Sequence, residues 1–270
     1  RLLGNAADCA VLEIPFGGVS LQCQQHSTLA ITGADLQATL DGHALPNWQS
    51  FNVRPGQQLV FATAISGVRG YLSAPGGIDA PLVLNSRSTV RREQLGGLHG
   101  NGADLRAGDL LKIGRANPSP TKVPDLHRVT TSSASRLDLI LGSQVALFSG
   151  ASLFAAFNQP WRVDHRADRM GLRLCGPALR YQGPPIISEG IPLGAVQVPA
   201  DGQPIILLND RQTIGGYPRL GALTPASVAR LAQFAAGETL WLRPIPLDRA
   251  IHEHRELLRT IVNTPLVRPD

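Results

Sequence analysis

Aromatic side chains are scarce in this chain, with three Trp, three Tyr and seven Phe in 270 residues, and lysine is scarcer still. Of 25 Lys and Arg, only Lys112 and Lys122 are lysine. Without aromatics interleaved among basic residues there is no platform for stacking bases, and the densest basic run is the pair Arg91-Arg92. The formal charge of +5 therefore reads as dispersed surface charge, and a nucleic-acid partner is excluded. Cys9, Cys23 and Cys175 are odd in number and lack CxxC spacing. They exclude a disulfide framework or zinc knuckle and point to a reducing cytoplasm. No apolar run approaches the roughly 18 residues that a membrane span needs, and no charged-then-apolar leader precedes a cleavage site. Also missing are the GxSxG elbow of serine hydrolases and the Lys-Ser/Thr of a phosphate-binding loop, which the Gly-Gly pairs at 17–18 and 215–216 do not supply. His252 and His254 are two apart, the wrong spacing for a helical zinc pair, and Asp164, His165 and Asp168 have no further histidine nearby. No metal is expected on this chain.

What the chain has in quantity is glycine (28) and proline (21), scattered between short runs rich in Val, Ile and Leu. That pattern, with 43% hydrophobic and 17% charged residues, predicts a mainly β, turn-rich protein. Strands are expected at 9–14, 19–22, 28–32, 38–40, 58–61 and 70–73, with Asp41-Gly42 as a hairpin turn. A loop-rich stretch follows from Gly76 to Gly102, long enough to be either a functional surface or poorly ordered. Pro55-Gly56-Gln57-Gln58-Leu59, Ala107-Gly108-Asp109-Leu110-Leu111 and Ala236-Gly237-Glu238-Thr239-Leu240 repeat one device, a glycine turn just before a strand. Residues 117–125, with Pro118, Pro120 and Pro124, read as a linker between an N-terminal β domain (1–116) and a C-terminal β domain (126–246). In the second domain strands are expected at 135–141, 161–163, 172–174, 195–198, 204–208 and 239–243, with a helix over 144–157. Thr224 followed by Pro225 is a strong helix start, and Gly237 is its expected stop. A helical tail, 247–270, carries Ile251, Leu258 and Ile261 along one side.

The densest polar chemistry lies between Ile187 and Gly221, where short loops between apolar strands carry Glu189, Asn209, Asp210, Arg211, Gln212, Tyr217 and Arg219. Such loops on a rigid sheet can converge several donors on a small polar substrate. Arg211 and Arg219 have the fork geometry for a carboxylate, and Glu189 or Asp210 can orient an arginine or move a proton. The alternative is an Asp210–Arg211 loop salt bridge with turn-forming glycines. Asp168 to Leu174 forms a second group, in which a turn at Gly171 leads into a strand with Arg173 on the polar side. Met170 reads as a packed residue.

These same residues carry a resemblance. Asp168-Arg169-Met170-Gly171-Leu172-Arg173-Leu174, Ser188 to Pro199, Asp201-Gly202-Gln203-Pro204-Ile205 and Asp210-Arg211-Gln212-Thr213 with Gly215-Gly216-Tyr217-Pro218 resemble the biotin-dependent carboxyltransferase family of the allophanate hydrolase subunit 2 type, nearest the branch that supplies the C-type subunit of 5-oxoprolinase. The likeness continues upstream through Thr32 to Leu36, Gly70-Tyr71-Leu72 and Leu84 to Thr89. Members of that family open with a further strand and a Gly-rich, aromatic loop; this chain opens at Arg1 beyond it, so its first domain is expected to be trimmed at the start.

The resemblance implies two linked cyclophilin-like β-barrel domains with a few short helices. It implies work in a complex with 5-oxoprolinase subunits B and A, cleaving 5-oxo-L-proline to L-glutamate with ATP that the complex binds and hydrolyses. Two alternatives stand beside it: a carboxyltransferase half moving a carboxyl group from carboxybiotin to urea or a similar amide, and a non-catalytic regulatory subunit. Neither lysine adjoins a methionine, so no biotin is attached to this chain. Within this frame Arg211, Glu189 and Tyr217 are the expected catalytic residues, and Arg173, Arg219, Asn209 and Gln212 the expected substrate-binding ones.

Overall fold

The computed structural model describes residues 1–124 and 135–269. The junction expected between linker and second domain, at 125–126, therefore lies outside the described residues. The chain divides into two compact units, one made of Arg1–Thr130 with Thr264–Asp270 and the other of Thr131–Asn263.

Among its described residues unit 1 holds eight strands: β1 (Leu12–Pro15), β2 (Val19–Gln22), β3 (Ser27–Asp35), β4 (Thr39–Leu40), β5 (His43–Ala44), β6 (Gln49–Val53), β7 (Gln58–Phe61) and β8 (Ser66–Ser73). They form two four-stranded sheets, ordered β1-β8-β3-β6 and β2-β7-β4-β5. Alternate residues of both sheets, among them Ile14, Leu29, Ile31, Phe51, Leu59 and Phe61, share one buried core. Among the described residues these two sheets are not joined into a closed ring. The second sheet ends at β5, whose ladder with β4 is only two residue pairs long. Asp41-Gly42 does make the expected hairpin, with both residues at positive φ (49° and 81°) as a type I′ turn requires. The Gly76–Gly102 stretch winds on itself through short bridges such as Val83↔Ser86 and Val90↔Leu95. Gly77, Gly96, Gly97 and Gly102 sit where a side chain has no room: a Cβ on Gly96 would lie 2.0 Å from the Ser88 carbonyl oxygen.

Unit 2 is a closed seven-stranded barrel. Its strands are β9 (Arg136–Leu141), β10 (Trp161–Val163), β11 (Gly171–Cys175), β13 (Ala195–Gln197), β14 (Ile205–Leu207), β16 (Arg219–Leu223) and β17 (Thr239–Pro244), ordered β10-β11-β14-β13-β16-β9-β17. Antiparallel pairing of β10 with β17 closes the ring, and the one parallel junction joins β17 to β9. Inward residues including Leu137, Leu139, Trp161, Leu174, Val196 and Ile206 fill the interior. Outside the wall lies a small ribbon of β12 (Glu189–Gly190) and β15 (Ile214–Gly215). Beneath it a second cluster, Ile191, Ala195 and Leu207, is buried on the outward side of β13 and β14.

The helix expected over 144–157 splits. Val145–Leu147 makes one tight turn and α1 (Gly150–Asn158) starts afresh, because Ser149 accepts a hydrogen bond from the Ser152 backbone N–H and so caps a new helix. The split leaves Gln144 outside any helix, free to reach across the barrel wall. α2 (Pro225–Leu231) begins as expected, with Thr224 accepting from the Ser227 N–H, but ends before Gly237. The chain tightens after Arg230 so that Phe234 packs against the barrel core. α3 (Leu247–Asn263) occupies the expected tail. Among the described residues no helix is long and apolar enough to cross a membrane.

Candidate active site

The ribbon is gripped by two arginines. Arg219, the first residue of β16, reaches Glu189 Oε1 at 2.8 Å and donates to the Gly190 carbonyl at 3.3 Å. Arg211 donates from Nε to the Ile191 carbonyl at 3.1 Å and from Nη1 to that of Leu208 at 3.4 Å. The two guanidinium groups therefore flank Glu189–Ile191, Arg219 spending its donors on the ribbon and Arg211 on the carbonyls of Ile191 and Leu208 beside it. Glu189 receives a second hydrogen bond on Oε1, from Gln144 Nε2 at 2.8 Å. The Gln144 Oε1 in turn accepts from the Arg219 backbone N–H at 2.8 Å, which fixes the orientation of its carboxamide.

The resulting Gln144–Glu189–Arg219 cluster is partly open, with the Glu189 and Arg219 side chains 35% and 19% exposed. At that exposure the ion pair contributes at most about 1 kcal/mol, so its consequence is geometric. Gln144 and Arg219 also line a cavity of about 190 Å³, together with Ile140, Leu141, Ser143 and Ala222. That is smaller than the roughly 300 Å³ at which drug-sized ligand pockets begin, and Glu189 is not among its lining residues.

The other expected site residues are spread more widely. Gln212 is half-buried beside the ribbon, its Nε2 close to Gly215. Tyr217, 49% exposed, and Asn209 stand in solvent. Arg173 is exposed on the outer side of β11, which is separated from β16 by β14 and β13 in the barrel order. Asp210 bonds neither Arg211 nor the ribbon; its Oδ2 takes a hydrogen bond from Arg169 Nε at 3.1 Å, which ties the loop before β11 to the one after β14. The polar group at 164–168 is a turn. Asp168 Oδ1 accepts the N–H groups of Met170 and Gly171. Asp164 binds Arg166 and, at 3.2 Å, the Cys175 thiol. Among the described residues no three His, Cys, Asp or Glu gather in a way that could hold a metal ion.

Two residues that the sequence reading passed over belong to the site. Gln144 was hidden inside an expected helix. Gln197 stands in the apolar run Ala195-Val196-Gln197-Val198 and is 1% exposed, and its Nε2 has no hydrogen-bond partner in the protein. A carboxamide in the middle of a buried strand was the available signal for it.

A β-barrel with a polar ribbon on its outer wall is compatible with many chemistries, and likeness to known proteins narrows them. Residues 1–244 match the family model for the carboxyltransferase domain, subdomains A and B, and the chain belongs to that family. Within it the chain is similar to the C-type subunit of Escherichia coli 5-oxoprolinase, with 34% identity over 96% of this chain and 82% of that protein. The corresponding 5-oxoprolinase protein of Haemophilus influenzae is 35% identical, over 94% of this chain and 81% of its own length. The fold also matches the crystal structure of the Kluyveromyces lactis urea carboxylase, with a TM-score of 0.91 and 25% identity over 98% of this chain, which spans 25% of that larger protein. The protein is thus a carboxyltransferase-domain member of the group that contains these 5-oxoprolinase proteins and the urea amidolyases and carboxylases.

Proposed function

We propose that this chain is the carboxyltransferase half of a multi-component enzyme and passes a carboxyl group to urea or a similar small amide. Carboxybiotin on a separate carrier supplies that carboxyl group as the second substrate. The observation that carries this reading is the Gln144–Glu189–Arg219 cluster beside a cavity of about 190 Å³. As the amide nitrogen bonds to the carboxyl carbon, the bond from that carbon to the biotin ureido nitrogen breaks; the attacking nitrogen gives up a proton and the released biotin nitrogen takes one up. With Oε1 held by Arg219 and Gln144, Oε2 of Glu189 is the carboxylate oxygen available to take the attacking nitrogen's proton. Arg219 and Gln144 keep Glu189 aimed, and Arg211 acts as a positioning residue by holding Ile191 and Leu208 in place. Gln212 is the expected substrate contact that lies beside the ribbon. The same reading carries a cytoplasmic location and kinship of both units to cyclophilin-like barrels.

A second reading, a component of ATP-dependent 5-oxoprolinase acting with subunits A and B, is favoured by the 34% and 35% identities over more than four-fifths of two 5-oxoprolinase proteins. There the same cluster would face a lactam instead of a urea, and ATP would be hydrolysed by the assembled complex with no residue of this chain assigned to it.

One reconstitution separates the two. The full-length protein, mixed with its partner subunits, is assayed for urea-dependent loss of carboxybiotin and for ATP-driven glutamate release from 5-oxoproline. Glu189→Gln is expected to lower the authentic activity by about a hundredfold or more with the complex intact. Wild-type complex inactive in both assays would overturn both enzymatic readings and leave a regulatory binding role.

A further inference from the structure

Helix α3 carries an apolar row that its own unit leaves uncovered. The helix lies beside α2, and its inner side is marked by Ala250, which is buried, and Leu257, which is half-buried. Leu247, Ile251 and Leu258, by contrast, are 58%, 42% and 48% exposed. Together with the half-buried His254 they stand four, three and four residues apart. That spacing averages 3.5 residues, the repeat of a seam along which two helices pack. A row one side chain wide is also narrower than the face of a helix that lies on lipid.

The charges on the helix fall into two groups. Arg249 pairs with Glu253 at 2.7 Å and Arg259 with Glu256, both within α3. Asp248 and Arg255 each follow a seam residue by one position and so lie on the same side of the row. Both are exposed, and among the described residues neither has an ion-pair partner. An antiparallel pair of α3 helices supplies the missing partners. With Leu247 of one copy against Leu258 of the other, Ile251 meets His254 in the two inner layers, and Asp248 of each copy faces Arg255 of the other. Sliding one helix by seven residues in either direction sets Arg255 against Arg255 or Asp248 against Asp248, and a parallel pair sets Arg255 against Ala250. Only the first arrangement is complementary in charge.

We infer that α3 is a self-association surface and that two copies of this chain pair through it as antiparallel helices. Each helix is already formed and held along its inner side by its own unit, so association orders little that was free before. An assembly built in this way carries two copies of the Gln144–Glu189–Arg219 cluster, whatever reaction that cluster performs. The inference therefore stands or falls independently of the carboxyl-transfer reading.

Sedimentation equilibrium of the full chain over a concentration series tests this. Wild type is expected to pass from monomer to dimer as the concentration rises through the micromolar range. Ile251→Gln combined with Leu258→Gln is expected to weaken the dimer about a hundredfold or more. It should melt with wild type at concentrations where both are monomeric, because neither side chain is buried in the single chain. Asp248→Arg and Arg255→Asp, each alone, put like charges at both contacts and are expected to weaken the dimer about tenfold. Mixed in equal amounts, the two variants again bring opposite charges together at both contacts and should recover wild-type affinity as a heterodimer. Asp248 lies in the first turn of α3, so its loss also weakens that helix end, and rescue in the mixture separates a contact between copies from that local effect. Wild type that is monomeric at roughly 0.5 mM, a dimer indifferent to the Ile251 and Leu258 substitutions, or charge variants that the mixture fails to rescue would each overturn the inference. Monomeric chain that binds phosphatidylglycerol vesicles through Ile251 and Leu258 would overturn it in favour of a lipid surface.

Discussion

The two units are made of the same materials, short apolar strands separated by Gly and Pro, yet they turn the chain in different ways. Among the described residues all seven non-glycine positions with positive φ, Phe16, Gln37, Asp41, Trp48, Leu84, Asn85 and Gln94, lie in unit 1. So do fourteen of the eighteen positive-φ glycines. Unit 2 closes its sheet into a ring, and most of its turns follow from the barrel ladder. Unit 1 leaves two sheets open and bends the chain through left-handed residues, each costing on the order of 1 kcal/mol where a Cβ is present. Closure frees the outside of the barrel for a polar layer. The ribbon and its arginines lie there, on a wall that needs no help to stand.

The largest break in this contrast would come from the centre of the barrel. Trp161 is wholly buried, donates to the Ala156 carbonyl at 3.0 Å, and has Gly176 against its ring face, where a Cβ would come within 2.6 Å. Trp161→Ala should therefore cost unit 2 about 3–5 kcal/mol. Hydrogen exchange followed by mass spectrometry should show the loss of protection in β10, β11 and β17, with β3 and β8 much less affected. Equal loss in both units would mean that they unfold as one cooperative body and that the difference in their turns has no energetic consequence.

A smaller change works in the opposite direction. Leu84 has φ 50° and is 85% exposed, so it combines left-handed strain with almost no packing. Leu84→Gly should stabilise unit 1 by up to about 1 kcal/mol, relief of strain outweighing the greater freedom of the unfolded glycine chain. The measurement is the unfolding midpoint of unit 1, reported by exchange of β3 and β8. A drop in stability would show that the loop is not under strain at that position.

The same contrast governs how much of the molecule could be read from its sequence. Strands such as β2, β7 and β10 were legible to the residue because alternation and turn residues agreed. Three of the turn glycines, Gly56, Gly108 and Gly237, indeed have φ near 90°, although only Gly56 and Gly237 lead into strands. β6 was missed because Gln49-Ser50-Phe51-Asn52-Val53 mixes polar and apolar residues on a strand whose polar groups bond within the unit, as Ser50 does with the Thr121 carbonyl. β16 was missed because Arg219-Leu220-Gly221 reads as the end of a loop. Yet Gly221 is in the wall of the barrel, where a Cβ would lie 2.0 Å from the Ile140 carbonyl oxygen. In the site, charged residues announced themselves and neutral ones did not. Glu189 and Arg219 were visible as loop chemistry, but Gln144 and Gln197 gain significance only from partners 45 and more residues away or from the lack of one.

The smallest effect compares a cysteine in each unit. Cys175 in β11 points its thiol at Asp164 Oδ2, 3.2 Å away, and this hydrogen bond raises its pKa above the ordinary thiol value, with burial and the carboxylate charge adding to it. Cys23 is also raised, but chiefly by burial and only secondarily by Asp41. Because the thiolate is the reactive form, both should alkylate slowly near neutral pH and faster as pH rises. Asp164→Asn removes the negative charge and offers the sulfur an N–H in place of a carboxylate, so the Cys175 pKa should fall and its iodoacetamide rate at pH 8 should rise severalfold. Cys23 should keep its rate, because nothing about its burial has changed. Asp164 also holds Arg166, whose side chain is 73% exposed, and asparagine keeps the size and an acceptor oxygen at 164, so the variant should fold and the comparison should remain one of reactivity. Equal acceleration of both cysteines would show that the substitution had loosened the protein as a whole, and an unchanged Cys175 rate would mean that access, not the Asp164 contact, limits its reaction.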